Sequence, residues 1–173
     1  MAKTLIAFFS RADENYFGGA MRYVKVGNTE IVANIVKDLI PADTFKIEMK
    51  DPYSPVYMTC IEEAKKDLRA KARPELVSMP TSIGEYDTVI LAYPNYWGTM
   101  PMAVFTFVDA FDFTGKTILP LGIHEGSGMG ASERDLRHEC RGVKVVNGLP
   151  IRGTNVDESK PLIEQWLKTN GLL

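Results

Sequence analysis

At 173 residues, 45% apolar and 24% charged, the chain is long enough to bury its own core and has the size of one domain. Its 20 Lys and Arg against 22 Asp and Glu leave a formal charge of −2, with the basic residues scattered, which excludes a nucleic-acid face and offers no strongly acidic docking field. Cys60 and Cys140 form neither a disulfide framework nor a metal set and read as reduced thiols of a cytoplasmic protein. The N-terminal apolar run is too short for a signal segment, and no stretch is long enough to span a bilayer.

Residues 4–9 are continuously apolar, as in a strand covered on both faces. Residues 28–40 carry Ile31, Ile35 and Leu39 on one stripe, widened by Val32 and Val36, and predict an amphipathic helix. Residues 43–49 alternate through Phe45, Ile47 and Met49, as in a strand with one more exposed face. Residues 54–72 have helical spacing and stop at Arg73-Pro74. The run TVILAY, 88–93, predicts a third strand closed by Pro94, and 102–111 a deeply packed helix. Residues 116–123 predict a fourth strand with a bulge or early end at Pro120, because proline lacks the ladder donor. A short helix over 132–140, a single fifth strand over 143–151 and a last helix over 157–170, capped by Gly171, complete the chain.

Strands alternating with helices in this way predict an α/β fold: a doubly wound, five-stranded parallel sheet with helices on both faces. Such sheets bind ligands beyond the carboxyl ends of their strands, where the winding direction reverses. The loops after the first, third and fourth strands therefore hold the candidate site.

The first of these loops has Ser10, then an insert over 11–25, then Gly27-Asn28-Thr29. A helix starting at Asn28 aims free N–H groups and its positive dipole end at this loop, so these four residues form a candidate phosphate cradle. Helix capping by Asn28 or Thr29 is the plain alternative. The second loop, Pro94-Asn95-Tyr96-Trp97-Gly98-Thr99, places two large aromatics at the sheet edge, where they suit a flat conjugated ligand or else roof the core or a dimer contact. The third, His124-Glu125-Gly126-Ser127 and on to Gly130, is a glycine-rich loop able to lie against a ligand and present amides. His124 and Glu125 are candidate acid, base or orienting groups; His124 bonding a neighbouring carbonyl is the alternative. A phosphate tail plus a flat polar ring describes flavin mononucleotide (FMN).

These segments, with Tyr93-Pro94-Asn95-Tyr96-Trp97-Gly98-Thr99-Met100-Pro101 and His124-Glu125-Gly126-Ser127-Gly128 the most specific, resemble the flavodoxin family over almost the whole chain, and within it a bacterial flavodoxin-like subfamily. The resemblance implies sheet order 2-1-3-4-5 and non-covalent FMN at the carboxyl edge, with Asn95–Thr99 along the ring and His124–Gly130 on its pyrimidine side. It also implies that a peptide near Gly98 turns its carbonyl toward the ring, and that Glu125 opposes negative charge there. The family's compact phosphate loop is here interrupted by the insert, with Arg11 or Lys25 as replacement cations and the insert as a flap or partner surface. The expected domain is 1–173. The implied function is electron transfer through FMN to a redox partner protein or a small acceptor. One alternative is an NAD(P)H-dependent quinone or flavin reductase with a substrate pocket formed by the insert and 52–57, the insert and the 54–72 helix covering the ring. A second is a non-redox phospholigand or protein-binding module. No catalytic residue is assigned.

Overall fold

The computed structural model describes residues 2–173; Met1, the first residue of the expected domain, lies outside them. Strands β1 (Thr4–Phe8), β4 (Asp43–Lys46), β5 (Thr88–Pro94) and β6 (Thr117–His124) run parallel in the order β4-β1-β5-β6, and two short strands, β7 (Lys144–Val145) and β8 (Leu149–Arg152), share the far edge of β6. The expected 2-1-3-4-5 order is therefore observed. β1 is buried at every position and β5 over Val89–Tyr93, which explains why both read as unbroken apolar runs.

Helices α1 (Asn28–Leu39) and α5 (Lys160–Thr169) cover one face of the sheet. Val32, Ala33, Val36, Ile163 and Leu167 pack there on Ile6, Ile90 and Leu119. On the other face α3 (Met102–Asp109) and α4 (Ser132–Glu139) bury Val104, Phe107 and Leu136 against Leu5, Leu91 and Ile118. Helix α2 (Tyr57–Ala70) buries only Cys60 and Ala64 and lies toward the carboxyl end of the sheet. Burying these apolar stripes is what turns each helix onto its face.

The insert is a hairpin of its own, β2 (Asp13–Phe17) and β3 (Ala20–Val24), closed by Gly18-Gly19 with φ +50° and +109°. Two consecutive positive φ values suit a two-residue hairpin turn, and glycine takes them without strain.

Pro120 neither bulges nor ends β6, which continues to His124. Instead the neighbouring strand breaks: β7 pairs with Thr117 and Ile118, β8 pairs from Leu121 onward, and 146–148 lie between them. The missing donor thus falls opposite a gap, where Gly148 lies so close that a Cβ would stand 3.0 Å from the Pro120 carbonyl oxygen. The fifth strand expected over 143–151 is two pieces for this reason. The strand expected over 43–49 stops at Lys46, with Met49 forming an isolated antiparallel bridge to Leu76. A 3-10 turn over Gly153–Glu158 takes the start of the helix expected at 157.

Candidate functional site

The interrupted loop is closed at its base. A Cβ on Gly27 would stand 2.3 Å from Ser10 Oγ and 2.4 Å from the Arg11 carbonyl oxygen, so the chain leaves for the hairpin and returns at one point. Gly27 is the N-cap of α1 but has no side chain to cap with; Ser10 supplies the cap from β1, its Oγ accepting from the Glu30 N–H at 3.1 Å. Capping by Asn28 or Thr29 is not what occurs. The Asn28 and Thr29 N–H groups have no backbone acceptor among the described residues. Asn28 faces the cleft, whereas the Thr29 side chain is buried at 2% exposure and does not line it. Arg11 is not a free cation: its guanidinium donates to the carbonyls of Glu14, Ser54 (2.9 Å) and Pro55 (3.0 Å), clamping the hairpin to the segment before α2.

The second and third loops are sewn together. Asn95 accepts from the Gly98 N–H at 2.8 Å and donates to the Gly128 carbonyl at 2.9 Å. Ala131 N–H donates to the Gly98 carbonyl at 2.7 Å, and Thr99 donates to Asp135 at 2.5 Å. A Cβ on Gly130 would come within 2.3 Å of the Gly98 oxygen, so only glycine permits this crossing. Gly98, Thr99 and Gly130 therefore form a seam between the two loops, in which the Gly98 carbonyl accepts from the Ala131 N–H. Trp97 sits at φ +55°, an outlier for a bulky residue. Its indole N–H donates to the Ile61 carbonyl at 2.8 Å and Lys65 lies 5.0 Å over its ring, which ties the loop to α2.

Between these loops, beyond the ends of β1, β5 and β6, lies a cleft of about 490 Å³, a volume that suits a drug-sized ligand. Of the sequence-predicted residues, Asn28, Pro94, Asn95, Tyr96, Trp97, His124, Glu125, Gly126 and Ser127 line it. Ser10, Gly27, Gly98, Thr99 and Gly130 do not, and instead hold the loops that do, while the Thr29 side chain is buried in α1. The roof comes from Asn15 and Tyr16 of the hairpin, within the insert expected to form a pocket, and from Cys60, Ile61 and Ala64 of α2; neither these α2 residues nor Gly153 beside Asn28 had been singled out in the sequence. Tyr57, from the expected pocket-forming segment 52–57, stacks on Tyr16 of the insert with ring centroids 6.3 Å apart. The helix expected over 54–72 was legible as a cover for the ring, but the residues of its stripe that face the cleft were not.

The polar groups of the cleft divide by end. Burial, with help from Arg152, holds His124 below its ordinary pKa, and its Nδ1 accepts from the Gly126 N–H at 2.9 Å. That bond takes one amide the glycine loop had been expected to present. Glu125 turns toward the α1 end: its carboxylate accepts from the Gly18 N–H at 3.2 Å and from Thr154 at 2.9 Å. At the other end burial raises the Cys60 thiol above its usual range, with Arg11 opposing, which disfavours the thiolate. Tyr96 is likewise pushed well up by burial, and its hydroxyl is sealed off without a partner among the described residues. The cleft thus offers free helix amides at one end and aromatic faces at the other, an arrangement able to hold a flat ligand with an anionic tail. No His, Cys, Asp or Glu group able to hold a metal ion occurs among the described residues, and none of the helices described is long and apolar enough to cross a membrane.

Solved structures share this architecture. A candidate flavoprotein from Bacteroides eggerthii is 23% identical with a TM-score of 0.78, covering 98% of each chain. A second, from Bacteroides uniformis, is 24% identical at 0.76, over 94% of this chain and 98% of that one. A Lactobacillus acidophilus flavoprotein solved in complex with FMN is 15% identical at 0.68, over 91% and 98%. At these identities the likeness is one of fold. No curated protein matches the chain. The profile described as Flavodoxin matches residues 20–170, from the start of β3 through α5, and the chain belongs to the flavodoxin family.

Proposed function

We propose that this chain binds FMN non-covalently in the cleft and works as a redox protein that passes electrons through it. One observation carries the reading: the open start of α1, the aromatic loop Pro94–Trp97 and the loop His124–Ser127 converge on a single cavity at the topological switch point. Family membership and the FMN complex of the Lactobacillus relative support the same ligand.

When bound, the flavin supplies the electron chemistry. The amides of Asn28 and Thr29, with the Asn28 side chain, are the groups to hold the phosphate. Pro94–Trp97, with His124, Gly126 and Ser127, are those to flank the ring. Tyr16, Tyr57 and α2 keep water from it. His124 stays neutral at physiological pH and braces the Gly126 amide. Purified protein is expected to be yellow, or to take up FMN stoichiometrically; a colourless chain that takes up none contradicts the reading.

A second reading, an NAD(P)H-dependent reductase of quinones or flavins, is favoured by the roof. A carrier that docks by an exposed ring edge has no need of a hairpin clamped by Arg11 to the start of α2. Steady NADPH oxidation with a quinone and no added reductase selects this reading; reduction only through a separate reductase selects the carrier.

A further inference from the structure

The α1 end of the cleft already contains an anion, and it belongs to the protein. The Glu125 carboxylate takes the Gly18 N–H at the hairpin turn and the Thr154 hydroxyl on the 3-10 turn. A Cβ on Gly153 would stand 2.7 Å from Glu125 Oε1 and 2.6 Å from Asn28 Nδ2, so carboxylate and amide are neighbours at the first turn of α1. The carboxylate has no cation within 4.0 Å among the described residues. Arg152 donates to the Glu125 backbone carbonyl at 3.2 Å and not to its carboxylate. Glu125 is therefore drawn to this end by neutral donors and the helix terminus, the same attractions an incoming phosphate uses.

We propose that Glu125 is an internal stand-in for the ligand's phosphate: it occupies the Gly18 and Thr154 donors in the free protein and yields them to the phosphate on binding. This rests on the FMN reading above. It predicts a specificity that the rest of the cleft does not: like-charge repulsion lowers affinity for phosphorylated flavin while leaving unphosphorylated flavin untouched. Release of Gly18 and Thr154 also makes the hairpin and the 3-10 turn the segments that respond to the tail.

The test compares FMN and riboflavin, by quenching of flavin fluorescence, on the full chain and its Glu125→Gln variant. Glutamine keeps the acceptor and removes the charge. FMN is expected to bind about tenfold tighter to the variant, with riboflavin affinity unchanged and the gain shrinking as salt is raised. Thr154→Val added to Glu125→Gln is the second arm: with no carboxylate to lose the donor in the free state, FMN weakens several-fold relative to E125Q alone and riboflavin does not. Equal weakening of both flavins by E125Q overturns the proposal, since it means that the carboxylate accepts from the ribityl hydroxyls. An unchanged FMN-to-riboflavin ratio in both variants overturns it as well. Failure of the unsubstituted chain to bind either flavin instead removes the FMN reading, and this inference with it.

Discussion

At Gly27 one hydrogen atom decides whether the interrupted loop closes. Alanine there meets Ser10 Oγ and the backbone of Arg11 at about 2.3–2.4 Å, and backbone does not yield. Gly27→Ala is expected to cost about 1–3 kcal/mol in a melting experiment, as overpacking does. Asn28→Ala should leave the melt nearly unchanged, because Ser10 and not Asn28 caps the helix. It should weaken FMN binding by about 1–2 kcal/mol in a titration, the value of a hydrogen bond to a charged group. Full affinity in that variant means the tail lies elsewhere. His124 adds a pH dependence. Its folded-state pKa lies below the ordinary 6.5, so on acidification the unfolded chain gains a proton that the folded chain resists. The stability from neutral His124 is therefore present above that value and lost as pH falls below it toward the folded pKa. Melting temperatures between about pH 7.5 and pH 5.5 should fall more in the native chain than in His124→Asn, whose amide oxygen still accepts from Gly126. Residue identities at the cleft were legible because glycine and aromatic loops at a sheet edge carry chemistry. Their division of labour was not: Ser10 reaching Glu30, and Gly130 against Gly98, are contacts between segments that no local pattern encodes.

Among the elements, the hairpin is the one that most changes the reading of the sequence. Its signal was present, since Gly18-Gly19 sits between runs that pair as strands, yet the segment was expected as a flap, partner surface or pocket wall without a hairpin being assigned to it. β3 is mostly exposed, and the hairpin is held by Glu14 to Pro55 and Tyr57, by Arg11, and by Gly18 to Glu125. It is attached by few points and closed at its base by the Ser10–Gly27 contact. Replacing 12–25 with two glycines is expected to leave the far-UV circular dichroism of the sheet and helices intact. It should make bound flavin more accessible to an added fluorescence quencher; loss of the cooperative melt would instead make the hairpin part of the core. Pro120 teaches the converse lesson. The rule that proline disrupts strands held, but the disruption appears in the partner strand, because a missing donor matters only where an acceptor waits. Strand and helix boundaries otherwise moved by a few residues, as expected where ends fray or tighten into 3-10 turns.

For the whole molecule, sheet order and winding followed from alternating apolar runs and amphipathic stripes, because two covered faces demand that pattern. The same topology fixes the cleft at the reversal between β1 and β5, whatever the loops contain. What it leaves open is the roof, since α2 and the hairpin are positioned by side-chain bonds such as Trp97 to Ile61 rather than by the sheet. The central claim is that one ligand touches the start of α1 and both aromatic and glycine loops at once. The most direct measurement is the amide NMR spectrum of the full chain during titration with FMN. The account predicts saturable shifts together at Asn28, Thr29, Gly126 and the Trp97 indole N–H, with one dissociation constant, while amides of α3 stay still. Shifts confined to one of these segments, or centred away from all of them, would contradict it.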